Sequence, residues 1–107
     1  MYVNIDQSFK NVDGTNLVDV DTKEVVKLKP VIVNALLGMF KDEEQLSGGE
    51  KLERWQLAIK INNADGDIEL SAEEISLIKL LIGKMFTTII VGQAFEMLEN
   101  KQEVKNA

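Results

Sequence analysis

Residues 71–91 read SAEEISLIKLLIGKMFTTIIV, and this stretch decides the fold. Its first four residues, Ser71-Ala72-Glu73-Glu74, form a capping box: the Ser71 hydroxyl accepts a first-turn N–H and the Glu74 carboxylate reaches back to the Ser71 N–H. The helix so started holds Ile75, Leu77, Ile78, Leu80, Leu81, Ile82, Met85 and Phe86. Eleven of the seventeen residues over 75–91 are apolar, more than one buried stripe requires. A helix apolar around most of its girth belongs at the centre of a domain or in a subunit interface. The spacing separates two sides. Ile75, Ile78, Ile82 and Phe86 are expected to face a sheet and Trp55. Leu77, Leu81, Met85 and Ile89, spaced by four, are expected to form an interface with a second subunit. Thr87-Thr88 breaks the chain, and a last amphipathic helix from about Ile89 carries Val91, Phe95 and Leu98 inward. Residues 100–107 are polar and read as a frayed tail.

Working back toward the N-terminus, Ser47-Gly48-Gly49-Glu50 is a second capping box, with Leu46 placed to pack on the first turn. The helix after it runs to about residue 61. Leu52, Trp55, Ala58 and Ile59 form its apolar stripe, with Glu50, Glu53, Arg54 and Lys60 largely outside it. That stripe puts the single tryptophan in or beside the core; an exposed ring would instead mark a binding anchor. Residues 62–67, NNADGD, stop the helix, and Ile68-Glu69-Leu70 is a short extended piece able to join a sheet. Pro30 opens an earlier, mostly apolar helix, whose Gly38 marks a close contact or an approaching end. The first 29 residues read as β. Val3, Ile5 and Phe9 share one face, Asp13-Gly14 turns the chain, Leu17, Val18 and Val20 suggest a second strand, and Val25, Val26 and Leu28 a third. The expected architecture is α+β: one domain over 1–107, with a small N-terminal antiparallel hairpin or sheet over 1–29 packed on about four helices over 30–99.

Composition narrows the chemistry. The chain has 107 residues, one domain's worth, with 18 acidic against 12 basic side chains and a net charge of −6. That sign argues against a nucleic-acid partner, which needs clustered cations. There is no cysteine, so disulfides, thiolate nucleophiles and cysteine-ligated metals are excluded. There is no histidine, which removes the commonest general base and zinc ligand. The start, Met1-Tyr2-Val3-Asn4-Ile5-Asp6, lacks the basic and apolar regions of a secretory signal. Lys79 and Lys84 interrupt the most apolar region, which falls short of the roughly 20 apolar residues of a membrane span. The cytoplasm is the expected location, without a membrane partner.

Three acidic or glycine-rich stretches invite a ligand. Asp65-Gly66-Asp67-Ile68 resembles the turn of a calcium loop, but aligning Gly66 with the loop glycine puts Ile61 and Ala72 at the first and last ligand positions. Asp19 and Asp21 share a strand face, the ordinary arrangement of a solvated edge. Gly48-Gly49 precedes a helix, but Glu50 and Lys51 follow where a phosphate loop needs Lys then Ser or Thr. No metal, cofactor or catalytic residue is expected.

Four stretches carry a resemblance: Val33-Asn34-Ala35-Leu36-Leu37, Leu46-Ser47-Gly48-Gly49-Glu50-Lys51-Leu52-Glu53-Arg54-Trp55, Leu70-Ser71-Ala72-Glu73-Glu74-Ile75 and Val91-Gly92-Gln93-Ala94-Phe95-Glu96-Met97-Leu98. In this order they resemble small uncharacterised proteins of tailed bacteriophages and prophages. Two of the four contain the capping boxes, and no catalytic residue is carried over. The resemblance implies a viral accessory protein made inside a bacterial cell. Together with the apolar excess of residues 75–91, it sets the expected function: a non-enzymatic protein that binds protein, either itself as a homodimer or a host or phage protein. The alternatives are an acidic inhibitor that mimics nucleic acid, for which Asp42-Glu43-Glu44 is the densest acidic run, and a small-ligand or metal-binding protein.

Overall fold

The chain begins in strand β1 (Tyr2–Asn4), and its first helix is α1 (Leu28–Leu37). Then come α2 (Gly48–Asn62), strand β2 (Asp67–Glu69), α3 (Ala72–Met85) and α4 (Thr88–Leu98). The computed structural model describes residues 1–41 and 46–99. The acidic run Asp42-Glu43-Glu44 and the expected polar tail over 100–107 lie outside the described residues. The class is α+β, as the sequence predicts: a two-stranded antiparallel sheet and four helices among the described residues.

The sheet is closed by a strand distant in sequence. β1 pairs antiparallel with β2, with Val3 opposite Ile68, both buried beneath exposed neighbours. Leu70 N–H donates to the Met1 carbonyl at 2.8 Å and Ile5 N–H to the Gly66 carbonyl at 2.9 Å, extending the pairing at both ends. Gly66 has φ +68°, a left-handed conformation that glycine adopts without steric cost, and so turns the chain into β2.

The expected second and third strands are replaced by an irregular meander. Its antiparallel bridges are single pairs, Ser8 with Lys27, Lys10 with Asn16, and Val18 with Val25. Three segments instead close a ring of hydrogen bonds: Phe9 N–H to the Val26 carbonyl, Val26 N–H to the Leu17 carbonyl, and Leu17 N–H to the Phe9 carbonyl, at 2.9–3.0 Å. The three segments close on one another in a triangle, and each bridge stays a single pair. The Asp13-Gly14 turn forms as predicted, with Gly14 at φ +90° and its N–H on the Asn11 carbonyl.

The meander also resets the start of α1, which begins at Leu28 and not at Pro30. The opening N–H groups of a helix lack partners inside it. Here Leu28 N–H donates to the Gln7 carbonyl and Lys29 N–H to the Ile5 carbonyl, while Pro30 has none to satisfy. Leu28 is therefore a core helical residue, not strand.

Both capping boxes of α2 and α3 are complete. α1 packs against both α2 and α3; α4 packs against α3 and reaches β1. The core joins Ile5, Phe9, Leu28 and Ile32 to Ile61, Ile78, Leu81, Ile82 and Leu98, all essentially inaccessible to water. Gly38 caps the end of α1, and the Met85 methyl lies where a Gly38 Cβ would stand, so both sequence readings of this glycine hold.

Candidate interaction surface

The buried face of α2 is the opposite of the one the sequence suggests. Arg54, Leu57, Ala58 and Ile61 face the core, Arg54 with only 8% of its surface exposed. Leu52, Trp55 and Ile59 face solvent, Trp55 with 53% exposed. Two apolar stripes compete on this helix, and Ala58 borders both. α1 receives the stripe of Leu57 and Ile61, because the long methylene stem of Arg54 covers apolar surface nearly as well as leucine does. Among the described residues no buried side-chain nitrogen or oxygen lacks a partner, so burying Arg54 leaves no polar atom orphaned.

What remains outside is a stripe at positions i, i+3 and i+7 along α2. Trp55 also forms one wall of a cleft of about 740 Å³, lined by Leu36, Leu37, Met39, Phe40 and Leu46 with Lys51 and Arg54. Leu37 and Met39 are exposed, Met39 almost fully. The α2 stripe and the cleft thus meet at the tryptophan. Apolar side chains of this size collected on one face, centred on an aromatic ring, have the composition of a protein-binding hot spot.

The interface expected on α3 is not free. Leu81 is completely buried, and Leu77 and Ile89 are packed half-buried against the core. Of the four, Met85 alone is exposed, at 38%. The physical reason is that α1 and α4 both pack on α3, so the helix is covered over more than one apolar side. Its outward strip is Ser76, Leu80 and Gly83. Ile75, Ile78 and Ile82 do face inward, but Trp55 does not meet them there as expected.

The acidic stretches are occupied with local structure. Asp19 accepts from the N–H groups of Asp21 and Thr22 at 2.8 and 3.1 Å, which orients the turn before Lys23, itself at φ +66°. Asp13 accepts from the Thr15 hydroxyl at 2.7 Å and the Thr15 N–H at 3.0 Å. These bonds, the hydroxyl first, hold its carboxyl below the usual aspartate range. Glu50 and Glu74 serve the caps. Asp65 extends to within 3.9 Å of Lys29, and no group of three or more carboxylates converges on a metal-sized site among the described residues. No described helix is long and apolar enough to cross a membrane.

One contact had no sequence signal. The Gln93 side chain on α4 pairs with the Lys10 backbone as a strand edge would: its oxygen accepts from Lys10 N–H at 2.9 Å and its nitrogen donates to the Lys10 carbonyl at 2.8 Å. This amide fastens the meander to the last helix.

No protein-family model matches this chain, and neither the curated proteins nor the solved structures contain a match.

Proposed function

We propose that this chain works by binding protein and not by catalysis, and that its first partner is a second copy of itself. The observation that carries the reading is Trp55, half-exposed between Leu52 and Ile59 on a helix whose other face is in the core. Leaving this much apolar surface in water is unfavourable by roughly 25 cal/mol per Å², which association recovers. The resemblance of four stretches to small phage and prophage proteins supports an accessory role in the cytoplasm of a bacterial host. The acids already engaged in caps and turns support binding through apolar contact more than mimicry of a phosphate array.

Light scattering on the purified chain tests this. The wild type is expected to approach the molar mass of a dimer as concentration rises to the high micromolar range, and Trp55→Ser to remain a monomer with an unchanged circular dichroism spectrum. A wild-type chain that stays monomeric throughout overturns self-association.

A further inference from the structure

Aspartate stands directly before glycine twice in the chain, at Asp13-Gly14 and Asp65-Gly66, and no asparagine does. At such a pair a protein backbone can rearrange without an enzyme. The glycine nitrogen attacks the aspartyl Cγ and closes a five-membered succinimide, an approach that a side chain on the second residue would crowd. Both glycines have positive φ and open space where a Cβ would stand, so neither sequence nor steric access separates the two pairs. We propose that the folded chain rearranges at Asp65 and is protected at Asp13, which makes residue 65 its site of isoaspartate formation.

Hydrogen bonding makes the difference. At Asp13 both reacting groups are engaged. Its Oδ1 accepts from the Thr15 hydroxyl at 2.7 Å and the Thr15 N–H at 3.0 Å, and the attacking Gly14 nitrogen donates to the Asn11 carbonyl at 2.9 Å. Bringing Cγ onto that nitrogen disrupts this network. The Thr15 bonds also favour the ionised carboxylate, which is a poor electrophile because it has no hydroxyl to lose. At Asp65 neither group is held. The carboxylate is fully exposed, and its ion pair with Lys29 Nζ is long, at 3.9 Å, and screened by solvent. The Gly66 N–H makes no hydrogen bond among the described residues.

The reaction needs only the chain and water. The Gly66 nitrogen bonds to Cγ of the protonated carboxyl, the Cγ–OH bond breaks, and the hydroxyl leaves with the amide proton as water. Water then adds to one imide carbonyl. Breaking the bond from nitrogen to Cγ restores aspartate. Breaking the bond from nitrogen to the main-chain carbonyl carbon leaves the backbone running through Cβ, with the former main-chain carbonyl as the pendant carboxyl. Mass is unchanged.

The position gives the change a structural effect. The Gly66 carbonyl accepts the Ile5 N–H at 2.9 Å, and Asp67 pairs with Asn4. One extra backbone carbon just before Gly66 displaces that carbonyl from β1. The sheet then loosens at this end, while the bond from Leu70 N–H to the Met1 carbonyl keeps the other end paired.

Trypsin places the two pairs on separate peptides, residues 11–23 and 61–79. The full chain is aged at physiological temperature and weakly acidic pH and then digested. Electron-transfer fragmentation locates isoaspartate, and an isoaspartyl carboxyl methyltransferase with a labelled methyl donor counts it independently. Isoaspartate is expected to accumulate several-fold faster on 61–79 than on 11–23 in the folded chain, and at similar rates on both in urea. Thr15→Ala is expected to speed the reaction on 11–23. Asp65→Glu, which would need a six-membered imide, is expected to abolish it on 61–79. Circular dichroism confirms that both variants are folded. In the aged wild type, hydrogen exchange is expected to quicken at the Ile5 amide and not at Leu70. Equal rates on the two peptides of the folded chain, or no reaction on 61–79, overturns the proposal. So does a signal on 61–79 that persists in Asp65→Glu, which places the rearrangement at another residue. A difference between the peptides that survives in urea overturns it as well, because the local sequence and not the fold would then set the rates.

Discussion

At Ser71 the side-chain oxygen accepts the Glu74 N–H at 3.1 Å, and Glu74 Oε1 accepts the Ser71 N–H at 2.8 Å. Two otherwise unpaired donors are satisfied at the mouth of α3. Such an exchange is local, so four letters of sequence were enough to locate it. Ser71→Ala is expected to destabilise the fold by about 0.5–2 kcal/mol, read by chemical denaturation. Arg54 is the contrary case. Its letter says charge and surface, yet three methylenes lie in the core and only the guanidinium needs a polar partner. A residue scale that assigns one value to the whole side chain misplaces it, and with it the face of α2.

At the scale of elements, periodicity marks α3 as central, but the division it suggests into a core side and an interface side does not hold, because Leu81 is fully buried. Periodicity shows which positions are apolar, not how many neighbours a helix has. α1 and α4 both pack on α3, and Leu81 is fully buried in the core. Leu81→Lys is therefore expected to unfold the protein as completely as Ile78→Lys, because either change buries an unpaired ammonium. Leu80→Lys, on the outward strip, is expected to leave the circular dichroism spectrum and the midpoint of denaturation nearly unchanged. A folded Leu81→Lys protein would mean that Leu81 is not part of the core. α2 is the complement of α3: α1 is the main element it packs on, so its second stripe is left over.

For the whole molecule, surplus apolar surface is settled either by more chain or by another molecule. If the α2 stripe is covered by a second copy, folding and association are linked. The melting temperature is then expected to rise with protein concentration for the wild type and to stay constant for Trp55→Ser. Differential scanning calorimetry over a wide concentration range reads the difference directly. A wild-type melting temperature independent of concentration would count against a dimer linked to folding.

By itself the sequence determined what depends on near neighbours: the α+β class, both capping boxes, the Asp13-Gly14 turn, the Gly38 stop and the joining of Ile68 to a sheet. Each of these follows from residues within a turn or two, or from an apolar pattern with one interpretation. The tertiary structure alone decided which strand β1 takes as partner, where α1 begins, how Gln93 holds Lys10, and which stripe of α2 is buried. In each of these cases the local sequence pattern admits more than one arrangement. The choice was made by segments far apart in the chain: the Gln7 and Ile5 carbonyls lie over the start of α1, and α1 lies against Leu57 and Ile61, leaving Trp55 in water.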